Sequence, residues 1–211
     1  MPELPEVEVV KNFLNSNFSG KRIQKIKILN KKLRYEIKTN ITKHFINLII
    51  TKIFRRGKYL ILLFENKYTL LVHLGMTGYF RIIKEENYMK HDHLVFYFES
   101  KLLVYNDIRK FGFIKFYKPD EVLNSQHLVK IGPEPFSKEY DFDYFKLNSK
   151  KTTNIKNLLM NQNFVAGLGN IYCSEILFDA KISPKKRCKN LNNNQIKQII
   201  KSTKKILYKA V

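Results

Sequence analysis

Cysteine is scarce in this sequence, which has only Cys173 and Cys188 among its 211 residues. These two residues do not form a CxxC pair, so they supply neither a disulfide framework nor a four-ligand zinc site. We therefore expect two buried or idle thiols, and no cofactor or metal held by this chain.

Long apolar runs are also missing. No stretch approaches the run of about 20 apolar residues that a membrane-spanning helix needs. The first residues lack the basic-then-apolar pattern of a secretory signal peptide. These two absences predict a soluble cytoplasmic protein with no membrane partner.

Acidic residues are few, with 18 Asp and Glu against 39 Lys and Arg, which gives a formal net charge of +21. An excess of this size is typical of proteins that bind polyanions, and nucleic acid is the leading candidate. Lys, Asn and Ile are abundant together while Arg is scarce, a mixture that an AT-rich genome also produces. The charge therefore indicates a class of partner without identifying a site.

The first part of the chain predicts one helix followed by strands. The segment after Pro5 has four apolar residues on one helical side: Val7, Val10, Phe13 and Leu14. Between about residues 21 and 118, short runs rich in Ile, Val, Phe and Tyr alternate with turn signals, a pattern typical of an antiparallel sandwich or barrel. These runs are 23–28, 58–65, 69–74, 79–83, 94–99 and 113–117.

The last part of the chain predicts helices, since apolar residues recur at helical spacing from about residue 154. The final segment places six side chains on one face: Ile196, Ile199, Ile200, Thr203, Ile206 and Leu207. We predict an α+β protein in which residues 1–131 form a β-sandwich domain with a leading helix. Residues 132–211 form a helical domain that ends within or just after a helix.

The first six residues contain the groups needed for amine catalysis. Removal of Met1 would free the secondary amine of Pro2, and a terminal amine has an ordinary pKa of about 7.7–8.0, so part of it is unprotonated near neutral pH. Condensation with an aldehyde carbon gives an iminium, which favours elimination at the neighbouring carbon. Glu3 can move protons for that chemistry. A Met-Pro start with Pro5 at a helix start is also ordinary helix-initiation chemistry.

Two turns are candidate phosphate contacts. Lys58 follows two arginines and leads into a strand, where a cation can contact a sugar-phosphate backbone or shuttle a proton. Gly167-Leu168-Gly169-Asn170 precedes a helical run, so backbone amides at that helix start and the Asn170 side chain can hold a phosphate. The structural alternatives are a solvated basic loop and a tight turn between two helices.

Two strand-to-loop corners, 73–78 and 106–112, carry side chains suited to a distorted duplex. Met76 and Phe111 can enter a base stack, and Arg109 can pair with an orphaned base. The structural alternative for the two apolar side chains is ordinary core packing.

A metal site is suggested by His91 and His93, which flank Asp92. An HxH pair with no third ligand in view is a poor metal site. A phosphate contact or surface exposure is the better interpretation of these histidines.

Seven motifs occur in one order along the chain. They are PELPEVE at 2–8, RRGKYL at 55–60, HLGMTG at 73–78, KHDH at 90–93, NDIRKFG at 106–112, IGPEP at 131–135 and VAGLGNIYCSE at 165–175. Together they make the chain resemble the bacterial formamidopyrimidine-DNA glycosylases, from the first residue to about Pro184. Each motif alone is weak, but seven in the family's order are highly specific.

This resemblance implies a base-excision-repair enzyme that removes oxidised purines, chiefly 8-oxoguanine and formamidopyrimidines, from double-stranded DNA and then acts as an AP lyase. It implies that Pro2 attacks the sugar C1′ to form a Schiff base. Glu3 would donate a proton, and Lys58 would assist the elimination that breaks the strand.

The resemblance also implies how damaged DNA is held by a protein expected to be a monomer. Met76, Arg109 and Phe111 would fill the gap left by the flipped-out nucleotide, with Arg109 facing the estranged cytosine. Phosphate contacts are implied for Lys58 and four further residues: His73, His91, Lys151 and Asn170. The second half would be the family's helix-two-turns-helix module, with the DNA cleft between the two domains.

The sequence departs from the family pattern in several places. Family members normally continue into a four-cysteine zinc finger that assists a second, δ, elimination, and this sequence contains no such finger. We expect strand cleavage by β-elimination, with zinc present only if a finger follows in a longer chain. Ile108, Lys110 and Asn161 replace a proline, an arginine and an aspartate common in the family, and exchange of Arg for Lys alters phosphate geometry.

Two other functions stay open from the sequence. A non-catalytic remnant or a fragment would bind duplex DNA in a salt-dependent manner without lesion preference. An endonuclease VIII-like glycosylase would prefer oxidised pyrimidines, although the PELPEV start and the set of Met76, Arg109 and Phe111 disfavour that interpretation.

Overall fold

The computed structural model describes residues 1–149 and 153–211, and the side chains of these residues except 40 and 41. Within this part the chain forms two compact units. The sandwich unit comprises Met1–Pro2 and Val7–Ser125, and the helical unit comprises Glu3–Glu6 and Gln126–Val211. The domain boundary predicted between residues 131 and 132 stays a prediction.

The sandwich unit contains two four-stranded antiparallel sheets, in the orders β1-β6-β7-β5 and β2-β3-β4-β8. The strands are β1 Lys25–Ile28, β2 Ile50–Arg56, β3 Tyr59–Phe64, β4 Thr69–His73, β5 Tyr79–Ile83, β6 Asp92–Tyr97, β7 Leu102–Asn106 and β8 Phe113–Tyr117. The loop of residues 74–78 and the loop of residues 107–112 start and end at paired strand positions. His73, the last residue of β4, lies opposite Phe113, the first residue of β8. Tyr79, the first residue of β5, lies opposite Asn106, the last residue of β7. The predicted sandwich with a leading helix is confirmed.

The leading helix, α1 (Leu4–Phe18), contributes to the sandwich core. Val7, Leu14 and Phe18 are buried in that core together with apolar residues of the strands. Phe13 was expected on the same side, but its side chain is 37% exposed, so that expectation is wrong. A short helix, α2 (Thr39–Thr42), and a 3₁₀ turn, Lys43–Phe45, lie between β1 and β2.

The helical unit contains α3 (Phe142–Asn148), α4 (Ile155–Met160), α5 (Asn170–Asp179), a 3₁₀ turn (Cys188–Asn190) and α6 (Asn193–Ala210). A capping box starts α6, since Asn192 and Gln195 each bind the other's backbone amide. Ile196, Ile199 and Leu207 are buried on its predicted apolar face.

The two cysteines are buried, and neither forms a disulfide, which confirms the expected buried thiols. Across the described residues, every helix is too short or too polar to cross a membrane.

Candidate active site

The chain terminus lies at a cavity of about 590 Å³ in the sandwich unit. Pro2, the second residue of the chain, is half-buried. The cavity is lined by Met1, Arg34, His73, Gly75, Met76, Arg109, Lys110 and Phe111. Four predicted DNA contacts therefore line the same cavity as Met1, whose removal would expose the Pro2 amine. They are His73, Met76, Arg109 and Phe111.

The first loop at this cavity follows β4. His73 ends the strand, and its Nδ1 accepts a hydrogen bond of 3.0 Å from the Gly75 amide. In the neutral ring this bond leaves the hydrogen on Nε2, a donor of the kind a phosphate oxygen accepts. Gly75 has φ of +62°, and a Cβ there would lie 2.3 Å from the Gly112 nitrogen, so the loop requires glycine at this position.

The loop tips expose apolar side chains. Met76 is 42% exposed and Phe111 is 47% exposed, so core packing is the wrong interpretation of both. The guanidinium of Arg109 lies over the Phe111 ring at 4.7 Å from its centroid, a cation–π arrangement that aligns two planar groups. Exposed apolar and planar groups at one cavity are suited to stacking with bases.

The two histidines of the HxH pattern differ in their surroundings, and the expected phosphate contact or surface exposure is wrong for His93, which is buried. His91 is half-buried with φ of +73°, and its carbonyl accepts a hydrogen bond from the Asp107 amide at 3.1 Å. His93 is fully buried, with Nε2 3.0 Å from the Asp107 carbonyl oxygen and Nδ1 3.2 Å from that of Asn30. Among the described residues, no group of three or more His, Cys, Asp and Glu side chains could hold a metal ion. The His, Cys, Asp and Glu side chains of the described residues therefore do not fit a four-ligand zinc site.

Lys58 lies in the tight turn between β2 and β3 and is only 6% exposed. Gly57 precedes it with φ of +57°, which lets the chain reverse within the turn. The same hairpin is tied to α1, because Arg55 Nε donates to Glu8 Oε2 at 2.7 Å. Burial raises the pKa of Glu8, but hydrogen bonds from Lys11 and Arg55 outweigh burial and lower the pKa overall.

Glu3 is held in the helical unit by the start of α5. Its carboxylate accepts hydrogen bonds from the amides of Gly169 at 2.7 Å, Ile171 at 2.9 Å and Tyr172 at 3.3 Å. Unpaired amides at a helix N-terminus favour an anion, and the anion here is the chain's own carboxylate. The expectation that these amides hold a phosphate is therefore wrong, while the side chain of Asn170 is exposed.

The chain around Glu3 is fixed on both sides. The Leu4 amide donates to the Gly167 carbonyl at 3.0 Å, and a Cβ on Gly167 would lie 2.7 Å from Leu4 Cβ. Glu6 Oε2 accepts from the Glu3 amide, and Glu6 Oε1 accepts from the Tyr172 hydroxyl, both at 2.8 Å. These contacts fix the backbone at Glu3.

Sequence reasoning missed the residues that organise the site. Glu6, Thr77, Asp107 and Tyr172 were assigned no role, although all four lie within motifs already singled out. The available signal was Asp107, since an Asp beside a turn often binds nearby backbone amides. The predicted contact of Lys151 lies outside the described residues.

The fold and the candidate site together define a DNA glycosylase with a helix-two-turns-helix unit. The family model for the formamidopyrimidine-DNA glycosylase N-terminal domain matches residues 1–114, and the model for that family's H2TH domain matches residues 131–211. The chain belongs to the formamidopyrimidine-DNA glycosylase family. This confirms the resemblance drawn from the seven motifs.

Relatives match over the whole chain. A formamidopyrimidine-DNA glycosylase of Rickettsia bellii is 42% identical over 215 aligned residues, covering 100% of this chain and 78% of the relative. One of Legionella pneumophila is 36% identical over 213 residues, covering 100% of this chain and 77% of the relative.

Solved structures give the same result. Lactococcus lactis formamidopyrimidine-DNA glycosylase, non-covalently bound to DNA containing an AP site, superposes with a TM-score of 0.93 and 37% identity, covering 99% of this chain and 81% of that one. A MutM structure in complex with DNA containing carbocyclic 8-oxoguanine gives a TM-score of 0.92 and 38% identity, covering 99% and 79%. Structural neighbours of this chain therefore bind damaged DNA.

Proposed function

We propose that this chain excises oxidised purines from double-stranded DNA and breaks the strand by β-elimination through a Schiff base at Pro2. Its family membership makes it a bifunctional DNA glycosylase and AP lyase. The observation that carries the proposal for this site is the cavity at the terminus, which is lined by Met1 and by the exposed side chains of two loops.

The chemistry needs a free Pro2 nitrogen, so it begins with loss of Met1. The unprotonated amine attacks C1′ while the bond from C1′ to the base breaks, and the base leaves with the electron pair and takes up a proton. The nitrogen of the adduct then loses its proton to the Glu3 carboxylate, and Glu3 passes a proton to O4′ as the C1′–O4′ bond breaks, which leaves an iminium between Pro2 and C1′. Removal of a C2′ proton then expels the 3′ phosphate, and water releases the enzyme from the remaining sugar.

Two further residues assist this sequence. The Glu3 carboxylate first takes up a proton and then donates it, and it lies beside Pro2 in the chain with three backbone amides to fix its position. Lys58 assists the elimination and contacts phosphate. Its burial in a tight turn limits the motion of its side chain, which favours one geometry for proton transfer.

The remaining predicted residues hold the DNA. Met76, Arg109 and Phe111 fill the space of the extruded nucleotide, and extrusion itself costs a few kcal/mol, which stacking and phosphate contacts offset. His73, His91, Lys151 and Asn170 contact phosphates. Because the net charge is +21, we expect binding to weaken steeply as salt is added.

Borohydride trapping tests the catalytic part of the proposal. The processed protein is incubated with a duplex containing an abasic site, and reduction of the iminium is expected to give a covalent adduct. A matched control carries an N-terminal extension that keeps the Pro2 nitrogen in a peptide bond, and we expect no adduct from it. Absence of an adduct from protein shown by mass spectrometry to begin at Pro2 would contradict the proposal.

A substrate panel tests the lesion class. We expect excision of 8-oxoguanine opposite cytosine and of formamidopyrimidines, and slower excision of oxidised pyrimidines. A preference for oxidised pyrimidines would instead assign the chain an endonuclease VIII-like specificity. Equal binding of damaged and intact duplex without excision would indicate a DNA-binding protein alone.

The oligomeric state and the cellular location are part of the same proposal. We expect a monomer in the bacterial cytoplasm that associates with the nucleoid when bound to DNA. Sedimentation of the purified protein with and without a lesion duplex measures the stoichiometry, and one protein per duplex is the expected result.

A further inference from the structure

The hydroxyl of Thr77 joins the two loops at the terminal cavity. Thr77 Oγ1 donates to Asp107 Oδ1 at 2.5 Å and accepts from the Arg109 amide at 3.1 Å. A hydroxyl has one donor hydrogen and two acceptor lone pairs, so both roles operate at once. This side chain follows Met76 on the first loop and binds the second loop at two points.

Asp107 completes the connection. Its carboxylate is fully buried, and Oδ2 accepts from the Gly112 amide at 2.8 Å. The loop from 107 to 112 is therefore closed upon itself by one side chain, with Arg109 and Phe111 between its two ends. A buried carboxylate is costly unless it is well hydrogen-bonded, which makes the Thr77 donor important to this loop.

Close backbone packing leaves little freedom for the loops to shift. A Cβ on Gly78 would lie 2.5 Å from the Tyr105 hydroxyl, and a Cβ on Gly112 would lie 2.0 Å from the same oxygen. Each loop thus packs against Tyr105 where it rejoins a strand. The Thr77 hydroxyl links the end of the first loop to the start of the second.

We propose that Thr77 is a positioning residue for recognition of the base opposite the lesion. Its hydroxyl holds the Arg109 backbone at a fixed distance from the Met76 loop and so sets where the guanidinium and the Phe111 ring enter the duplex. This inference rests on the proposed function, because it assumes that these side chains occupy the gap left by a flipped nucleotide. Misplacement of such groups by about 1 Å can lower rates by about 100-fold.

The test compares Thr77→Val with Thr77→Ser. Valine has nearly the shape of threonine without the hydroxyl, and serine keeps the hydroxyl. We expect Thr77→Val to slow excision of 8-oxoguanine opposite cytosine by about 10-fold and to reduce the preference for cytosine over adenine as the opposite base. Thr77→Ser is expected to stay within about twofold of the unsubstituted chain, since both hydrogen bonds can form.

A second substrate separates positioning from a general loss of structure. Cleavage of an abasic site in single-stranded DNA involves no opposite base, so we expect it to stay within about twofold in Thr77→Val. A double-mutant cycle with Arg109→Ala supplies an independent readout, because an effect that acts through Arg109 should largely disappear in its absence.

The outcomes distinguish the inference from the function on which it rests. If the unsubstituted chain fails to form a trapped adduct, the proposed function fails and the inference fails with it. If that chain is active and Thr77→Val retains its rate and opposite-base preference, only the inference is overturned. Equal loss on single-stranded and double-stranded substrates would also overturn it, since that pattern indicates a structural role.

Discussion

The two units hold their candidate site residues by different means. In the sandwich unit, the loop that carries Met76 and the loop that carries Arg109 and Phe111 are joined by the side chains of Thr77 and Asp107. In the helical unit, Glu3 is held by backbone amides at the start of α5. A side-chain tie can be lost by one substitution, whereas a backbone site persists unless the main chain moves. We therefore expect recognition to be easier to alter by mutation than the placement of Glu3.

The largest expected effect is loss of the carboxylate itself. Glu3→Gln removes the acid while its amide oxygen can still accept one backbone hydrogen bond, so we expect base excision to fall by about 10²- to 10⁴-fold. Single-turnover kinetics on an 8-oxoguanine duplex measure the change. Tyr172→Phe is the matched control, because it keeps the amide that binds Glu3 and removes only the hydroxyl bound to Glu6. An equal loss in both variants would contradict the assignment of Glu3.

The second effect concerns the close approach of the loops. Gly75→Ala combines φ of +62° with a Cβ only 2.3 Å from the Gly112 nitrogen, so we expect the sandwich unit to lose about 3 kcal/mol of stability. Gly20→Ala is the control, since φ is +75° but no atom lies within 4 Å of the added Cβ. For Gly20→Ala we expect a loss of about 1 kcal/mol. Urea unfolding of both variants measures the difference, and similar losses would rule out loop contact as the cause.

A third prediction concerns the pH dependence of the ion pairs that Glu8 forms with Arg55 and Lys11. The pKa of Glu8 is lowered in the folded chain, so its stabilising contribution is present above the ordinary glutamate pKa of about 4.3 and is lost as pH falls through the folded value. We expect Glu8→Gln to cost about 1 kcal/mol at pH 7, and this difference should vanish below that window. Thermal unfolding at several pH values checks it. A difference that persists in acid would point to packing instead of charge.

The smallest effect is a lack of thiol reactivity in the helical unit. Burial raises the pKa of Cys188 to about 11, so only about one thiol in a thousand is ionised at pH 8. We expect alkylation at pH 8 to be slow in the native protein and fast after unfolding in guanidinium. Rapid native labelling of Cys188, read by mass spectrometry, would show that this part of the unit opens readily.

Much of the fold was predictable because short-range patterns determine it. The apolar face of α6 and six of the eight strands follow from periodicity. β7 was not identified, since its five residues are all buried between two neighbouring strands and show no alternation. β2 was missed because its three basic residues, Lys52, Arg55 and Arg56, interrupt the apolar pattern of the strand.

The site was predictable only in part, because motifs identify residue types without their partners. The bond from Thr77 to Asp107 spans 30 residues, and the bond from Glu3 to Gly169 spans 166. Nothing in either local sequence specifies such a partner. The GLGN turn illustrates the consequence, since its amides suited an anion but the sequence did not reveal that Glu3 would be that anion.

The most direct measurement of the central claim is to locate the trapped adduct in the chain. Borohydride-reduced complexes with an abasic-site duplex would be digested with nuclease and protease and analysed by tandem mass spectrometry. We predict that the sugar remnant is attached to the nitrogen of Pro2 in a peptide that has lost Met1. Attachment to Lys58 or another lysine, with Pro2 unmodified, would contradict the account.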